Sequence, residues 1–249
     1  SCDGCHTVAR GGADGRARSV GGAGKETLVN TPTVLNAFRN DLFFLDGRAA
    51  DLGAVIDDHV AHETVFASSW PALLETVSGD SEYATAFERV LSGPPTADRV
   101  RTALTTYLRS LTSERSRFER YLGGDPSALT PTELAGLEQF VESQCDTCHT
   151  GPNAGGEMLA SYGEPEGFFE ARGGAEPVDH GRMNVTGDAD DDFSYRVPVL
   201  RNIARTAPYF HDGSVATLEE AVRLMGKLQF GATYDDEKVS QIVAFLRTL

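Results

Sequence analysis

The sequence predicts a mainly α-helical protein of two domains packed together. Apolar residues recur at helical spacing along the 249-residue chain, strand signals are few and short, and each half contains one copy of the same five-residue motif. The domains are expected at residues 1–127 and 128–249, because the boundary then falls inside the polar, turn-rich segment GGDPSALTP.

Several segments have the features of helices. The stretch WPALLETV has proline at a first helical position, and residues 96–122 place apolar side chains such as Val100, Leu104 and Leu108 near helical spacing. Thr130 is a good N-cap, since proline follows it and Glu133 stands three residues later. This predicts a helix that leads into Cys145, and DDEKVSQIVAFLRTL predicts a final helix that closes the chain.

Composition and charge limit the classes of function. Hydrophobic residues make up 40% of the chain, enough for a real core, and no apolar run approaches the length of a membrane span. The formal charge of −15 disfavours nucleic acid as a partner and suits a basic protein, although solubility alone explains it equally well. Because the chain starts almost inside its first motif, an N-terminal segment is expected to precede it.

The repeated motif is Cys-x-x-Cys-His, at residues 2–6 and 145–149. A four-cysteine zinc ribbon normally has its two cysteine pairs within roughly twenty residues of each other, and zinc leaves both histidines unexplained. A thioredoxin-like dithiol needs one pair in a βαβ context, which is missing here. Covalent haem accounts for every residue of the motif, and the two copies contain all the cysteines of the chain: Cys2, Cys5, Cys145 and Cys148.

The motifs therefore predict two covalently bound haem c groups. In each copy the two cysteines form thioethers with the porphyrin vinyl groups, and the next residue turns its imidazole towards the iron. The proximal iron ligands are then His6 and His149.

The sequence resembles the bacterial di-haem cytochrome c peroxidases over nearly its whole length. The stretches that carry the resemblance are CDGCH, NTPTVLNA, DGRA, CDTCH, VPVLRN, TAPYFHDGSVATLEEAV, MG and IVAFLRTL. It implies two cytochrome c-like haem domains in an enzyme that reduces hydrogen peroxide to water. It also implies a small cytochrome c or cupredoxin as electron donor and a periplasmic location, and it allows a homodimer.

The resemblance assigns different roles to the two haems. The N-terminal haem is the peroxidatic one, and the C-terminal haem receives electrons at a higher potential. Met225, in LMGKLQFG, matches the methionine that ligates the second iron, and a thioether ligand raises a haem potential. A core methionine in a helix is the other interpretation of Met225.

Peroxide cleavage needs a group that moves a proton between the two oxygens. The resemblance places a glutamate soon after DGRA, and Glu63 is the best match, with a plain surface residue as the alternative. The distal histidine that often blocks the resting peroxidatic haem is missing, since residues 7–58 contain no histidine. An open haem is the favoured prediction, and blocking by His59 or His62 is the alternative.

Two further family features concern the contact between the domains. Leu45 stands where the family commonly has a tryptophan that bridges the haems, so electrons would pass through Phe44, the backbone or a short edge-to-edge distance. The resemblance also implies one calcium ion, held by the side chain of Asn30, the carbonyls of Thr206 and Pro208, and waters. A turn asparagine is the alternative for Asn30.

Two other functions stay open at this point. A related di-haem oxidase modifies aromatic residues of a partner protein, but it carries tyrosine in place of Met225 and uses the bridging tryptophan. A non-enzymatic electron carrier would have two six-coordinate haems and no peroxide turnover, which Glu63 and the missing distal histidine oppose.

Overall fold

The computed structural model describes residues 1–161 and 166–249, and within these ranges the protein is mainly α-helical, as predicted. None of the described helices combines the length and the apolar composition needed to cross a bilayer. The α-helices are α1 (Leu52–Ala61), α2 (Trp70–Gly79), α3 (Ser81–Leu91), α4 (Ala97–Ser110), α5 (Arg117–Leu122), α6 (Pro131–Glu142), α7 (Glu166–Glu170), α8 (Met183–Thr186), α9 (Leu218–Phe230) and α10 (Asp236–Leu246).

Short elements connect these helices. Two strands, β1 (Leu159–Ser161) and β2 (Ser194–Arg196), pair antiparallel with residue 159 opposite residue 196. The proposed domain boundary between residues 127 and 128 falls inside a 3₁₀ turn and stays a prediction. The 3₁₀ turns are Cys2–Gly4, Val8–Arg10, Ala37–Arg39, Pro126–Ala128, Cys145–Thr147, Pro177–His180, Ala189–Asp191 and Ile203–Arg205.

The helical stretch expected at 96–122 is interrupted, and it forms α4 and α5. The backbone between them bonds to a distant loop instead of continuing the helix: Asn36 N–H donates to the carbonyl of Leu111 at 2.7 Å, and the Asn36 side chain accepts from the N–H of Ser113 at 3.1 Å. Ser116 and Glu119 then start α5 with a reciprocal capping box. Long-range hydrogen bonds therefore override the helical periodicity at this point.

The predicted start of α6 is confirmed. Thr130 N–H donates to the Glu133 carboxylate at 2.8 Å, and the Thr130 hydroxyl accepts from the Glu133 N–H at 3.4 Å. The helix packs closely on α10, because a Cβ built at Gly136 would lie 1.9 Å from the carbonyl oxygen of Gln241. Only glycine fits where the two backbones come this close.

The larger apolar core lies in the second half of the chain, where α6, α9 and α10 meet. The first half has a smaller buried cluster of Phe43, Ala49 and Leu52, with α1 packed against α4. The buried residues of the larger core are Phe140, Tyr209, Val215, Leu218, Val222, Val239, Ile242, Val243, Phe245 and Leu246.

A backbone repeat relates the segment before α1 to the segment before α9. Asn36 and Asn202 both have positive φ, 58° and 62°, and each precedes a 3₁₀ turn. Phe44 and Phe210, further along each segment, also have positive φ, 61° and 66°. Each segment then closes with an isolated antiparallel bridge, Phe43 with Ala49 and Tyr209 with Val215.

The two repeats exchange backbone hydrogen bonds across the molecule. Asn30 N–H donates to the carbonyl of His211 at 2.7 Å, and Arg196 N–H donates to the carbonyl of Leu45 at 2.7 Å. Residues 30 and 196 are equivalent in the repeat, as are residues 45 and 211. The halves are therefore held together by a reciprocal pair of bonds that places residues 44–45 of the first half directly against β2 of the second.

Candidate functional site

The first Cys-x-x-Cys-His motif forms a compact turn that orients its histidine. Cys2 begins a 3₁₀ turn, and its carbonyl accepts from the N–H of His6 at 2.9 Å. The His6 ring lies 3.3 Å from the carbonyl of Gly12 through Nδ1. Because a carbonyl only accepts, Nδ1 carries the proton and Nε2 keeps the lone pair that can bind a metal.

The second motif repeats this geometry. Cys145 begins a 3₁₀ turn, and its carbonyl accepts from the N–H of His149 at 3.0 Å. His149 Nδ1 lies 3.2 Å from the carbonyl of Ala154, so its Nε2 is again the free ring nitrogen. The two copies have the same turn and the same orienting bond, so each presents one histidine whose Nε2 is free.

Burial favours the form of both histidines that ligates iron. Desolvation lowers the pKa of His6 and the pKa of His149 below the usual histidine value. Backbone carbonyls oppose the shift without reversing it. Both imidazoles are therefore neutral near pH 7, which is the protonation state of a metal-bound histidine.

The cysteines fit thioether formation and not a shared zinc site. All four are free thiols, and burial raises the pKa of Cys145 to about 11, which disfavours the thiolate that zinc binds. Across residues 1–161 and 166–249 no three His, Cys, Asp or Glu side chains are grouped to hold a metal ion. The two motifs do not combine into one tetrahedral site, and each fits a covalently attached haem by itself.

Met225 lies in α9, within the second half and partly buried. The helix backbone packs tightly against Tyr234 at this point, since a Cβ at the next residue, Gly226, would lie 2.5 Å from the Tyr234 ring. Its assignment as second ligand of the haem bound by His149 stays a prediction.

Glu63 lies in the loop after α1 and faces solvent. Its side chain is 75% exposed, and its carboxylate pairs with Lys25 at 2.8 Å. The hydrogen bond from Lys25, followed by the lysine charge, lowers the pKa of Glu63. The role of Glu63 in proton transfer stays a prediction, and it requires the Lys25 pair to open when the carboxylate takes up a proton.

His59 and His62 differ in what their ring nitrogens do. His62 Nδ1 accepts from the Thr64 hydroxyl at 3.1 Å, a local contact within the loop. His59, in α1, donates from Nδ1 to the carbonyl of Val55 at 2.7 Å, so its Nε2 is free. Burial is the main cause that lowers the pKa of His6, and the charge of His59 adds to it. His59 therefore presents a free ring nitrogen, whereas the Nδ1 of His62 is used within its own loop.

Phe44 connects His59 to the junction between the halves. Its ring stacks on His59 with centroids 5.4 Å apart, and the Arg48 guanidinium lies 3.6 Å from the ring centroid on a cation–π contact. Its carbonyl accepts from Arg196 Nε at 3.1 Å. The carbonyl of Leu45, the residue expected at the position of the family's bridging tryptophan, accepts from the N–H of Arg196.

Asn30, expected to supply the side-chain oxygen of a calcium site, lies at the same junction. The Asn30 amide nitrogen donates to the carbonyls of Arg16 at 2.7 Å and Ala17 at 3.3 Å, so its oxygen faces away from them. Asn30 N–H donates to the carbonyl of His211, which is close in sequence to Thr206 and Pro208. Calcium binding by Asn30, Thr206 and Pro208 stays a prediction.

Two buried groups lie at the junction. Arg196 is 9% exposed, and its Nη1 has no hydrogen-bond partner within the described residues. His211, in YFHDGS, donates from Nε2 to the Asp179 carboxylate at 2.6 Å and stacks on Tyr195 with ring centroids 5.3 Å apart. Sequence reasoning missed Arg196, because an arginine beside VPVLRN gives no sign of whether a carboxylate reaches it.

Known proteins are similar to the chain over its full length. A family model described as di-haem cytochrome c peroxidase matches residues 1–127. The cytochrome c551 peroxidase of Nitrosomonas europaea is 40% identical over 250 residues, covering 100% of this chain and 73% of that protein. The cytochrome c551 peroxidase of Pseudomonas aeruginosa is 37% identical over 255 residues, covering 100% of this chain and 72% of that protein.

A solved structure supports the same fold. The crystal structure of a MauG-like protein associated with microbial copper homeostasis superposes with a TM-score of 0.88 at 24% identity, covering 100% of this chain and 83% of that one. At this identity the likeness concerns the fold. Together with two haem-binding motifs of equal geometry, these relatives show that the chain belongs to the di-haem cytochrome c peroxidase family.

Proposed function

We propose that this di-haem peroxidase reduces hydrogen peroxide to water with electrons from a small cytochrome c or a cupredoxin. The observation that carries the proposal is the pair of motifs, each with a turn-bound histidine whose Nε2 is free for iron. When bound, each haem iron supplies one-electron redox chemistry, so two haems supply the two electrons that one peroxide consumes.

The two halves have different tasks in this proposal. In the first half, His6 would hold the haem at which peroxide is reduced. In the second half, His149 and Met225 would together hold the haem that receives electrons, and the thioether of Met225 would favour a high potential. What supports this division is the difference between the halves: Met225 follows the second motif in α9, and α1, at the equivalent place in the first half, carries His59.

Proton transfer to peroxide is assigned to the loop after α1. Glu63 is the proposed group, and its exposed carboxylate can exchange protons with solvent once Lys25 releases it. His59, near the end of α1, is the second candidate, because the residue is partly buried and its Nε2 is free. Both belong to the segment that follows DGRA.

A calcium ion is proposed between the halves, on Asn30, Thr206 and Pro208. The amide oxygen of Asn30 is the atom that its two hydrogen bonds leave free. Within the described chain no N–H donates to the carbonyl of Thr206 or of Pro208. Neutral oxygens of this kind, completed by waters, suit a hard cation such as calcium.

The charge of the protein favours a basic donor. A net charge of −15 attracts a positively charged redox protein over distances up to about one Debye length, and it speeds encounter at low salt. We place the protein in the periplasm, because haem c is attached after export in this family.

The test is peroxide-dependent oxidation of a donor panel by the ferric, calcium-loaded enzyme. Reduced small cytochromes and cupredoxins are mixed with enzyme and peroxide, with and without prior one-electron reduction of the enzyme. Turnover from the ferric state supports a peroxidase with an open first haem. Turnover only after reduction supports a peroxidase in which a distal ligand, with His59 as first suspect, must leave. Lack of donor oxidation under both conditions overturns the proposal and favours a dedicated protein substrate.

A further inference from the structure

Arg196 is a buried cation at the contact between the two halves. It ends β2, where its main-chain N–H bonds the carbonyl of Leu45 at 2.7 Å and its Nε bonds the carbonyl of Phe44 at 3.1 Å. These two bonds aim the guanidinium at the loop that carries the Phe44 ring. The side chain cannot turn to solvent, since the residue is 9% exposed.

The guanidinium has no counter-charge among the described residues. Its Nη1 is buried without a hydrogen-bond partner, and no carboxylate of residues 1–161 and 167–249 forms an ion pair with it. Burial lowers the pKa of Arg196 to about 10. Other arginines of the second half are paired: Arg172 reaches Asp212 at 3.0 Å, and Arg201 reaches Glu119 at 2.8 Å. Burying a guanidinium without a counter-charge is energetically costly, so an anion is expected at its free edge.

The position of Arg196 indicates which anion this is. Phe44, whose carbonyl it holds, stacks on His59 of α1 with ring centroids 5.4 Å apart. Arg196 is therefore joined through Phe44 to the first half, which carries the first haem-binding motif, and β2 joins it to the second half. The anionic groups that a haem brings to such a junction are its propionates, and a planar guanidinium matches a carboxylate with two parallel bonds.

We propose that Arg196 is a positioning residue that binds a haem propionate at the junction of the two halves. The inference rests on the proposed di-haem function. By holding a positive charge beside the porphyrin edge, Arg196 stabilises the added electron on the iron and fixes the porphyrin relative to Phe44 and Leu45. Its role in this arrangement is to bind and orient the porphyrin, and it makes no contact with peroxide.

The test is a potentiometric titration of both haems in the holoenzyme. In Arg196→Gln, the equilibrium constant for reduction of at least one haem is expected to fall about tenfold. This lowers the reduction potential of that haem by about 59 mV for one electron. Arg182→Gln is the matched control: Arg182 also donates to carbonyls of this loop, Asp46 at 3.1 Å and Gly47 at 3.3 Å. Unchanged potentials of both haems in R196Q, or an equal shift in R182Q, overturn the inference.

A second variant separates charge from packing. Arg196→Lys keeps the charge but replaces the fork with a single ammonium. Its potentials are expected near those of the wild type, while the propionate bending band in the resonance Raman spectrum moves to lower frequency as the hydrogen bonds weaken. An unchanged band overturns the inference, even if R196Q does not retain both haems. Peroxide turnover of the wild type is a separate measurement, so failure here leaves the peroxidase proposal intact.

Discussion

Asn30 and His211 are joined by a backbone hydrogen bond of 2.7 Å between the first and second halves of the chain. The bond joins the Asn30 main chain to a residue close in sequence to Thr206 and Pro208. It is one of two equivalent backbone hydrogen bonds between the repeats, and the other joins the N–H of Arg196 to the carbonyl of Leu45. The calcium proposal and the propionate proposal therefore concern neighbouring parts of one interface, and calcium is expected to affect how the two haem domains sit together.

Asn30→Ala is expected to weaken calcium binding at least tenfold, because it removes the one side-chain oxygen of the proposed site. Isothermal titration of the calcium-free holoenzyme measures this. Asn184→Ala is the control, since the Asn184 amide also donates to a carbonyl, that of Pro177 at 2.8 Å, but lies outside the site. Equal affinities of N30A and wild type would remove Asn30 from the ligand set.

Glu63→Gln is expected to lower kcat/KM for peroxide by about 10²-fold or more, because the amide cannot transfer the proton. The measurement is steady-state peroxide reduction with saturating donor. Glu82→Gln, which changes another exposed glutamate, controls for the loss of one surface charge. If E63Q retains full activity while His59→Gln loses it, His59 is the proton-transfer group.

Donor oxidation is expected to slow as salt rises when the donor is basic. At 0.01 M salt the Debye length is about 30 Å, and at 0.15 M it is about 8 Å, so the attraction of the −15 charge is screened over this range. Stopped-flow association rates of a basic cytochrome c measure the effect, and an acidic cupredoxin serves as the comparison. A rate with the same salt dependence for both donors contradicts electrostatic steering.

Gly136→Ala is expected to destabilise the protein by about 1–3 kcal/mol, since the new methyl group would meet the Gln241 carbonyl at 1.9 Å and push α6 from α10. Urea unfolding of the holoenzyme measures the loss. Gly167→Ala in α7 is the control, because a Cβ there meets nothing within 4 Å. A stability of G136A equal to that of wild type would mean that the two helices separate without cost.

Acid is expected to remove the stabilising effect of Glu119. Its hydrogen bond with Arg201 lowers the pKa of Glu119 from 4.5 to about 2 in the folded state. A depressed carboxylate pKa adds stability above the unfolded value, and this contribution is lost as pH falls from about 4.5 towards 2. The free energy of unfolding of Glu119→Gln, measured against pH, should therefore differ from wild type at pH 7 and converge with it in acid. A constant difference down to pH 2 would contradict the assignment.

The local elements were largely predictable from sequence. Thr130 and Glu133 predicted the start of α6, and the spacing of two cysteines and a histidine predicted both haem-binding motifs. Helix capping and thioether attachment depend on residues only a few positions apart, so both can be recognised in the sequence. The break between α4 and α5 was missed, since the bonds of Asn36 to residues 111 and 113 join distant parts of the chain. The exposure of Glu63 and its pairing with Lys25 were equally invisible.

The sequence by itself determined the cofactor class, the family and the mainly helical fold, because each depends on short motifs whose chemistry is local. Tertiary structure alone decided which residues meet between the halves: Asn30 with His211, and Arg196 with Phe44 and Leu45. It also decided that Arg196 is buried without a carboxylate in the described chain. Whether a side chain is buried, and whether a counter-charge reaches it, depends on residues that are far apart in sequence. Only the folded arrangement of the two repeats determines both.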